Sequence, residues 1–404
     1  MDHSRVLRIT NVVLLLTAYQ MHWFEKKSQR FRLSLPGVVN ILVLGVIYAG
    51  CFSQHFNSTS SLLNVLNDVS PFLFVLTRTQ LFLGAKVFAY SVYSSVKSVG
   101  AVNSLVESLP TRNSGLRKDE VIAYVLLGST FGTLFCFVLY ISYEMKFELP
   151  PLQDAMVGMA LFLPHLILSG SLRLYIILAW LTRGQLKQFK NIAEEELSDS
   201  LIKDEANVAS TSFTISTKSS SVENLENLKR KLEILGANFR FFFQSIQHSL
   251  IFLFAINGNC LLGGIYSYTY YWNSWHVIFE DRKRRIFYAA NASIYACIAS
   301  DYICLMVVLF MMEKERMNFI KCLDFFLAKR NSLSKRMRSI AKDTKNVLKR
   351  NFFTKFHSII PLNISYVSLM VFLQLLIITL IVMFHYLNDA IILLKEELNS
   401  KDDN

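Results

Sequence analysis

Four ionisable side chains interrupt stretches that are otherwise apolar: Arg78, Lys86, Arg173 and Asp301. A charge at mid-bilayer costs at least about 2.5–3.5 kcal/mol, so such groups pair, face a bundle interior or snorkel. At about 1.5 Å per residue from the external end of each run, Arg78 lies about 18 Å deep, Asp301 about 22 Å and Arg173 about 27 Å. Asp301 is the one acidic group expected at that depth, so it should pair with Arg78 or Arg173. Such a pair fixes helix packing or serves ion permeation. Lys86 falls near the inner surface and should snorkel.

A second pattern lies in the last apolar run. Ser365, Ser368, Phe372 and Thr379 fall within about 60° of one another at about 100° per residue. A hydroxyl stripe suits a water-lined path, and an aromatic within it suits a gate that closes by dewetting. Small hydroxyl residues also permit close helix packing in lipid. A third cluster is aromatic: Tyr266, Tyr268, Tyr270, Tyr271, Trp272, Trp275 and Tyr288. Tyr268, Trp272 and Trp275 share a helical face and are the preferred ligand-pocket candidates. Interfacial anchoring is the competing role for such residues.

Composition dictates what holds these groups. The 404 residues carry a net charge of +12, 52% are hydrophobic and only 18% are charged. A soluble domain runs near a quarter charged. The basic residues are confined to a few hydrophilic blocks, which argues against nucleic-acid binding. Six Cys make no disulfide framework, and five of them (Cys51, Cys136, Cys260, Cys297, Cys304) sit in apolar stretches. No phosphate-binding Gly loop, Cys-x-x-Cys pair or His-Glu-x-x-His motif occurs, so no enzyme, cofactor or metal is expected. His165, His248 and His385 lie within apolar helices, where packing or interfacial roles are expected.

The expected fold is all-α and polytopic, because about 20 apolar residues cross a bilayer core of about 30 Å. Seven runs qualify: Pro36–His55, Leu66–Val96, Val121–Tyr143, Ala155–Leu181, Phe241–Tyr271, Ile286–Met311 and Ile359–Tyr386. Val12–Phe24 is too short and reads as an uncleaved interfacial helix rather than a signal peptide. The intervening segments carry 32 Lys and Arg on one side and 7 on the other. That bias puts the amino terminus in the cytoplasm and the carboxyl terminus outside. Asn57-Ser58-Thr59, a glycosylation sequon, falls in the first external loop. A G-protein-coupled receptor would have the reverse topology.

The expected organisation follows. Residues 1–35 form a cytoplasmic segment with the interfacial helix. Residues 36–311 hold six spans, with cytoplasmic loops at 97–120 and 182–240. Residues 312–358 form cytoplasmic anchor helices, 359–386 the seventh span and 387–404 an extracellular tail. Residues 210–221 carry nine Ser or Thr and read as a disordered insert. Beyond it, Val222, Leu225, Leu228, Leu232, Leu235 and Phe239 form one apolar helix face. Leu333, Met337, Ile340, Thr344 and Val347 form a heptad-like seam that needs a partner helix. Extensions of spans four to seven should build this cytoplasmic domain.

The chain resembles the insect gustatory receptor family, within the insect odorant and gustatory receptor superfamily. The resemblance covers the whole length. It rests on the topology and on the last span, Ser365-Tyr366-Val367-Ser368-Leu369-Met370-Val371-Phe372-Leu373-Gln374. The family motif there is Thr-Tyr, five apolar residues, then Gln-Phe. Ser365 stands for Thr, Tyr366 matches, and Phe372 and Leu373 occupy the Gln-Phe positions. Gln374 faces nearly opposite to Phe372.

The resemblance implies a ligand-gated, non-selective cation channel for small-molecule tastants in the plasma membrane of chemosensory dendrites. It implies a homo- or heterotetramer in contact with membrane lipid, with each seventh span lining a central pore. Phe372 and Leu373 inherit the gate position, and the apolar constriction points to a partner subunit for conduction. The alternatives are a non-conducting co-receptor subunit, a metabotropic seven-span receptor and a secondary transporter.

Overall fold

The computed structural model describes residues 3–54, 70–109, 117–144, 151–207, 215–270, 281–328, 334–352, 354–357 and 359–402. In chain order the elements are α1 (His3–Leu16), β1 (His22–Glu25), β2 (Arg30–Leu33), α2 (Leu35–Ser53), α3 (Pro71–Ser108) and α4 (Arg117–Glu144). There follow α5 (Pro151–Asn207), α6 (Ile215–Tyr270), α7 (Asp281–Ala328), α8 (Lys335–Asn351), β3 (Lys355–Phe356), β4 (Ile360–Pro361) and α9 (Ile364–Asp402). Among the described residues seven helices are long and apolar enough to cross a membrane: α2 to α7 and α9. The all-α, seven-span expectation therefore holds, with two short ribbons added.

The amino-terminal segment differs from the expected interfacial helix. The helix α1 ends at Leu16, and Ala18 adopts a left-handed φ of 48°. Tyr19 N–H donates to Leu14 O at 3.2 Å and closes the helix end. The chain then forms an antiparallel ribbon with Phe24 opposite Phe31. Buried Asn11 fixes it: its Oδ1 accepts from Phe24 N–H at 2.8 Å, and its Nδ2 donates to Phe24 O. Asn103 of α3 holds the other strand through both backbone groups of Phe31. The face of Val6, Leu7, Val13 and Leu14 is buried against α4 and α5 rather than spread on lipid. Gly170 of α5 permits this approach, since a Cβ there would collide with Thr17 and Tyr19.

The helix α5 is the hub, packed against α2, α3, α4, α6 and α7. Ser34 and Ser70 cap α2 and α3, each followed by a Pro in the first turn. At 56 residues α6 is roughly 84 Å long, nearly three times the bilayer core. The excess lengths of α5, α6 and α7 form a polar-faced bundle beyond the membrane.

The helix α8 closes that bundle on α6 and α7, burying Met337, Ile340, Ala341, Thr344 and Leu348. Its contact face thus follows a 3.6-residue period, broader than the expected heptad seam, and its partners belong to the same chain. Leu333 lies outside the described residues. Lys229 Nζ to Asp343 Oδ2 at 3.0 Å and Arg336 to Glu226 at 2.9 Å tie α8 to α6, and Lys345 pairs with Asp324 of α7.

Two further expectations change. The helix α6 starts at Ile215, so most of the Ser-rich stretch is helical; once the amphipathic helix is nucleated, adding a turn costs little. The seventh span does not extend into that bundle, because the β3–β4 ribbon separates it from α8. Instead α9 continues through the expected tail to Asp402.

Candidate functional site

The deepest charged group belongs to α5. Arg173 is 1% exposed, and its Nη2 lies 2.9 Å from Asp301 Oδ2 on α7. Its Nε donates to both carboxylate oxygens at 3.2 Å. On α4, Thr130 Oγ1 accepts from Nη1 at 2.6 Å, and Ser129 Oγ donates to Asp301 Oδ1 at 3.3 Å. Two charges are therefore neutralised and hydrogen-bonded by three helices, the condition under which such a pair persists away from water. Arg78 is not part of this arrangement. It is exposed, and its guanidinium stacks 4.9 Å above the Phe74 ring on its own helix. Because α3 begins at Pro71, Arg78 lies only about 10 Å from the helix start, within snorkelling reach. Lys86 is also exposed.

A polar knot adjoins the pair. His165 of α5 and Tyr302 of α7 both approach Asn257 of α6. His165 Nδ1, Asn257 Oδ1 and Tyr302 Oη are nonetheless buried without completing a hydrogen bond. Two residues on, Asn259 Nδ2 donates to Gln80 Oε1 of α3 at 2.7 Å. Between them, Gly258 receives α9: a Cβ there would lie 2.8 Å from Gln374 Nε2. Asn257-Gly258-Asn259 thus connects the bundle to the seventh span. The sequence signal was an Asn-Gly-Asn interruption of an apolar run, which a search for charges passes over.

The helix α9 leans on α6 and, lightly, on α7. Asn363 caps it, its Oδ1 accepting from Tyr366 N–H at 2.8 Å. Farther along the helix His385 packs against Phe72 and Tyr266, with ring centroids 5.3 and 5.1 Å away. The expected stripe faces outward: Ser365, Ser368 and Thr379 are exposed, as are Phe372 at 61% and Leu373. The Thr379 hydroxyl donates to Leu375 O at 2.9 Å, and Ser368 Oγ lies 4.0 Å from Met306 Sδ on α7. Tyr366 is half-buried. Tyr268 is exposed on α6, while Trp272, Trp275 and Asn57 lie outside the described residues.

The fold that carries these groups is found in solved structures. The insect olfactory receptor OR5 from Machilis hrabei in complex with eugenol superposes with a TM-score of 0.59 at 14% identity, over 95% of this chain and 99% of that one. The chain has the insect olfactory receptor fold. A second structure of OR5 from Machilis hrabei gives a TM-score of 0.52 at 13% identity, over 94% and 97% of the two chains. No protein-family model and no curated protein matches the sequence. In this insect olfactory receptor fold α9 is the seventh span, and the charged pair and polar knot lie in the bundle formed by the other six.

Proposed function

We propose that the chain is a subunit of a ligand-gated cation channel of chemosensory cells, of the gustatory type, that responds to small-molecule tastants. The observation that carries this reading is the exposure of α9. Its apolar window has a mean hydropathy of 2.8, yet only 11% of it is buried. A helix of that kind either faces lipid throughout or stands beside copies of itself. The stripe of Ser365, Ser368 and Thr379 on its free side favours copies around water, in a homo- or heterotetramer. Phe372 and Leu373 then form the constriction, which conducts when it widens enough to wet.

Ligand enters from outside, among the aromatic residues Tyr268, Trp272 and Trp275, and reaches the polar knot. His165, Asn257 and Tyr302 offer hydrogen bonds there to a small organic molecule with a polar group, as eugenol is in the solved neighbour's complex. Binding favours a bundle arrangement in which α6 moves, and Gly258 carries that movement to Gln374 on α9. The Lys and Arg bias supports an amino terminus inside the cell, and the resemblance to gustatory receptors supports the plasma membrane of sensory dendrites. The Arg173–Asp301 pair fixes the helix frame within which this occurs.

A non-conducting partner subunit is the second reading, favoured by Phe372-Leu373 at positions where the resembling family carries Gln-Phe. Expression of the chain alone and with candidate partners, with ligand-evoked cation current as readout, separates the two. In a conducting complex Phe372→Ala should raise basal current, because a wider and less apolar constriction wets more readily. Unchanged basal and evoked currents would contradict the gate assignment.

A further inference from the structure

Where α6 enters the membrane, it shares a cavity of about 240 Å³ with the end of α8 and the strand that follows. The walls are Arg240, Phe243, Gln244, Lys349, Arg350, Thr354 and Lys355. Four of these seven residues are cationic and none is acidic. Lys349 and Arg350 end α8, where one cation suffices to complement a helix terminus, and Arg316 already donates to Leu348 O there. Arg240 comes from a different helix, and Lys355 from the ribbon. All four cations are exposed, and four like charges around one concavity favour a polyanion there through charge-assisted hydrogen bonds.

The cavity's position says what kind of polyanion. Phe241, next to Arg240, opens the apolar run of α6. Ile359 and Ile360, on the ribbon that continues from Lys355, are exposed, Ile359 to 78%. Cationic walls beside exposed aliphatic side chains at the bilayer edge fit a phosphorylated headgroup whose acyl chains stay in the membrane. Thr354 also connects the wall to the seventh span: Leu362 N–H donates to Thr354 O at 2.9 Å, two residues before α9 begins.

We propose that this cavity binds a multiply phosphorylated inositol headgroup and so holds the base of α9. The phosphates sit among Arg240, Lys349, Arg350 and Lys355, and Gln244 and Thr354 offer hydrogen bonds to the ring. The same chemistry is available from a membrane phosphoinositide or a soluble inositol polyphosphate. Assignment to the inner leaflet rests on the proposed sidedness; binding by the cavity does not.

The test uses the purified full-length chain in phosphatidylcholine nanodiscs, which expose both faces. A fluorescent short-chain phosphatidylinositol bisphosphate is titrated in, with phosphatidylinositol and inositol trisphosphate as competitors. Arg240→Gln with Lys349→Gln and Arg350→Gln should weaken binding at least about tenfold, because charge-assisted phosphate contacts are removed. Arg240→Lys with Lys349→Arg should retain it. Arg230→Gln with Lys231→Gln, which removes exposed charge about 15 Å away along α6, should leave it unchanged. Competition by inositol trisphosphate at equal concentration identifies a soluble ligand, and its failure to compete identifies the lipid. Binding that survives the triple substitution, that phosphatidylinositol displaces equally well, or that is absent overturns the proposal. Labelling of an amino-terminal tag on intact and permeabilised cells tests sidedness separately.

Discussion

The helices α5 and α9 are both membrane spans, yet 94% of the apolar window of α5 is buried against protein and 11% of that of α9. Their mean hydropathies run the other way, 1.7 against 2.8. In water the more apolar helix would be the core. In lipid the tails are as apolar as leucine, so hydrophobicity gives no reason to bury a helix. What distinguishes α5 is that it hides polar groups among its buried apolar ones: His165, Ser169, Ser171, Arg173 and Thr182 are all buried. A frame held by many contacts, polar ones among them, and a helix held by few are the two parts that a gated structure needs.

The difference predicts unequal responses to substitution. Asp301→Ala leaves Arg173 charged and unpartnered in the bundle. It should cost about 3–5 kcal/mol, seen as loss of surface expression and of the folded peak in detergent. Arg173→Met with Asp301→Leu should recover most of that loss, and failure to do so would assign the pair a role beyond packing. Gly258→Leu acts at the joint between the two parts. Its side chain must displace Gln374, so it should cost about 1–3 kcal/mol and lower the evoked current more than surface expression. Equal losses of both would make Gly258 a packing residue only.

The smallest effect lies outside the membrane. Burial holds His22 below its ordinary value, and its Nδ1 makes no hydrogen bond. The unfolded segment therefore binds a proton more readily than the folded ribbon. Stability contributed there is present above about pH 6.5 and falls as the pH drops below it. Hydrogen exchange of residues 19–33 at pH 7.5 and 5.5 should show faster opening at the lower value, and His22→Phe should remove the difference.

The seven spans were legible because an apolar run of bilayer length has one physical solution. Asp301 was legible as a partner for arginine because it stands alone at its depth. Which arginine it takes was not, since depth along a helix does not say which way a residue faces, and Arg78 faces outward. The His22–Leu33 ribbon escaped because its strands are too short and mixed to show alternation, and Asn11 and Asn103, which fix it, are distant in sequence. The polar knot was legible only in part: His165 stood out within its apolar helix and read as a packing residue, while a hydropathy reading averages Asn257 and Tyr302 away within strongly apolar neighbours.

The account depends on α9 facing water beside copies of itself. Cysteine substitution along residues 365–379 in a conducting complex, with a membrane-impermeant thiol reagent applied during ligand-evoked current, tests this directly. Modification at Ser365, Ser368, Phe372 and Thr379 should change the current, while cysteines on the opposite face, Gln374 included, should stay silent. Reagent effects that ignore the helical face, or no effect at any of the four positions, would contradict a pore lined by this helix.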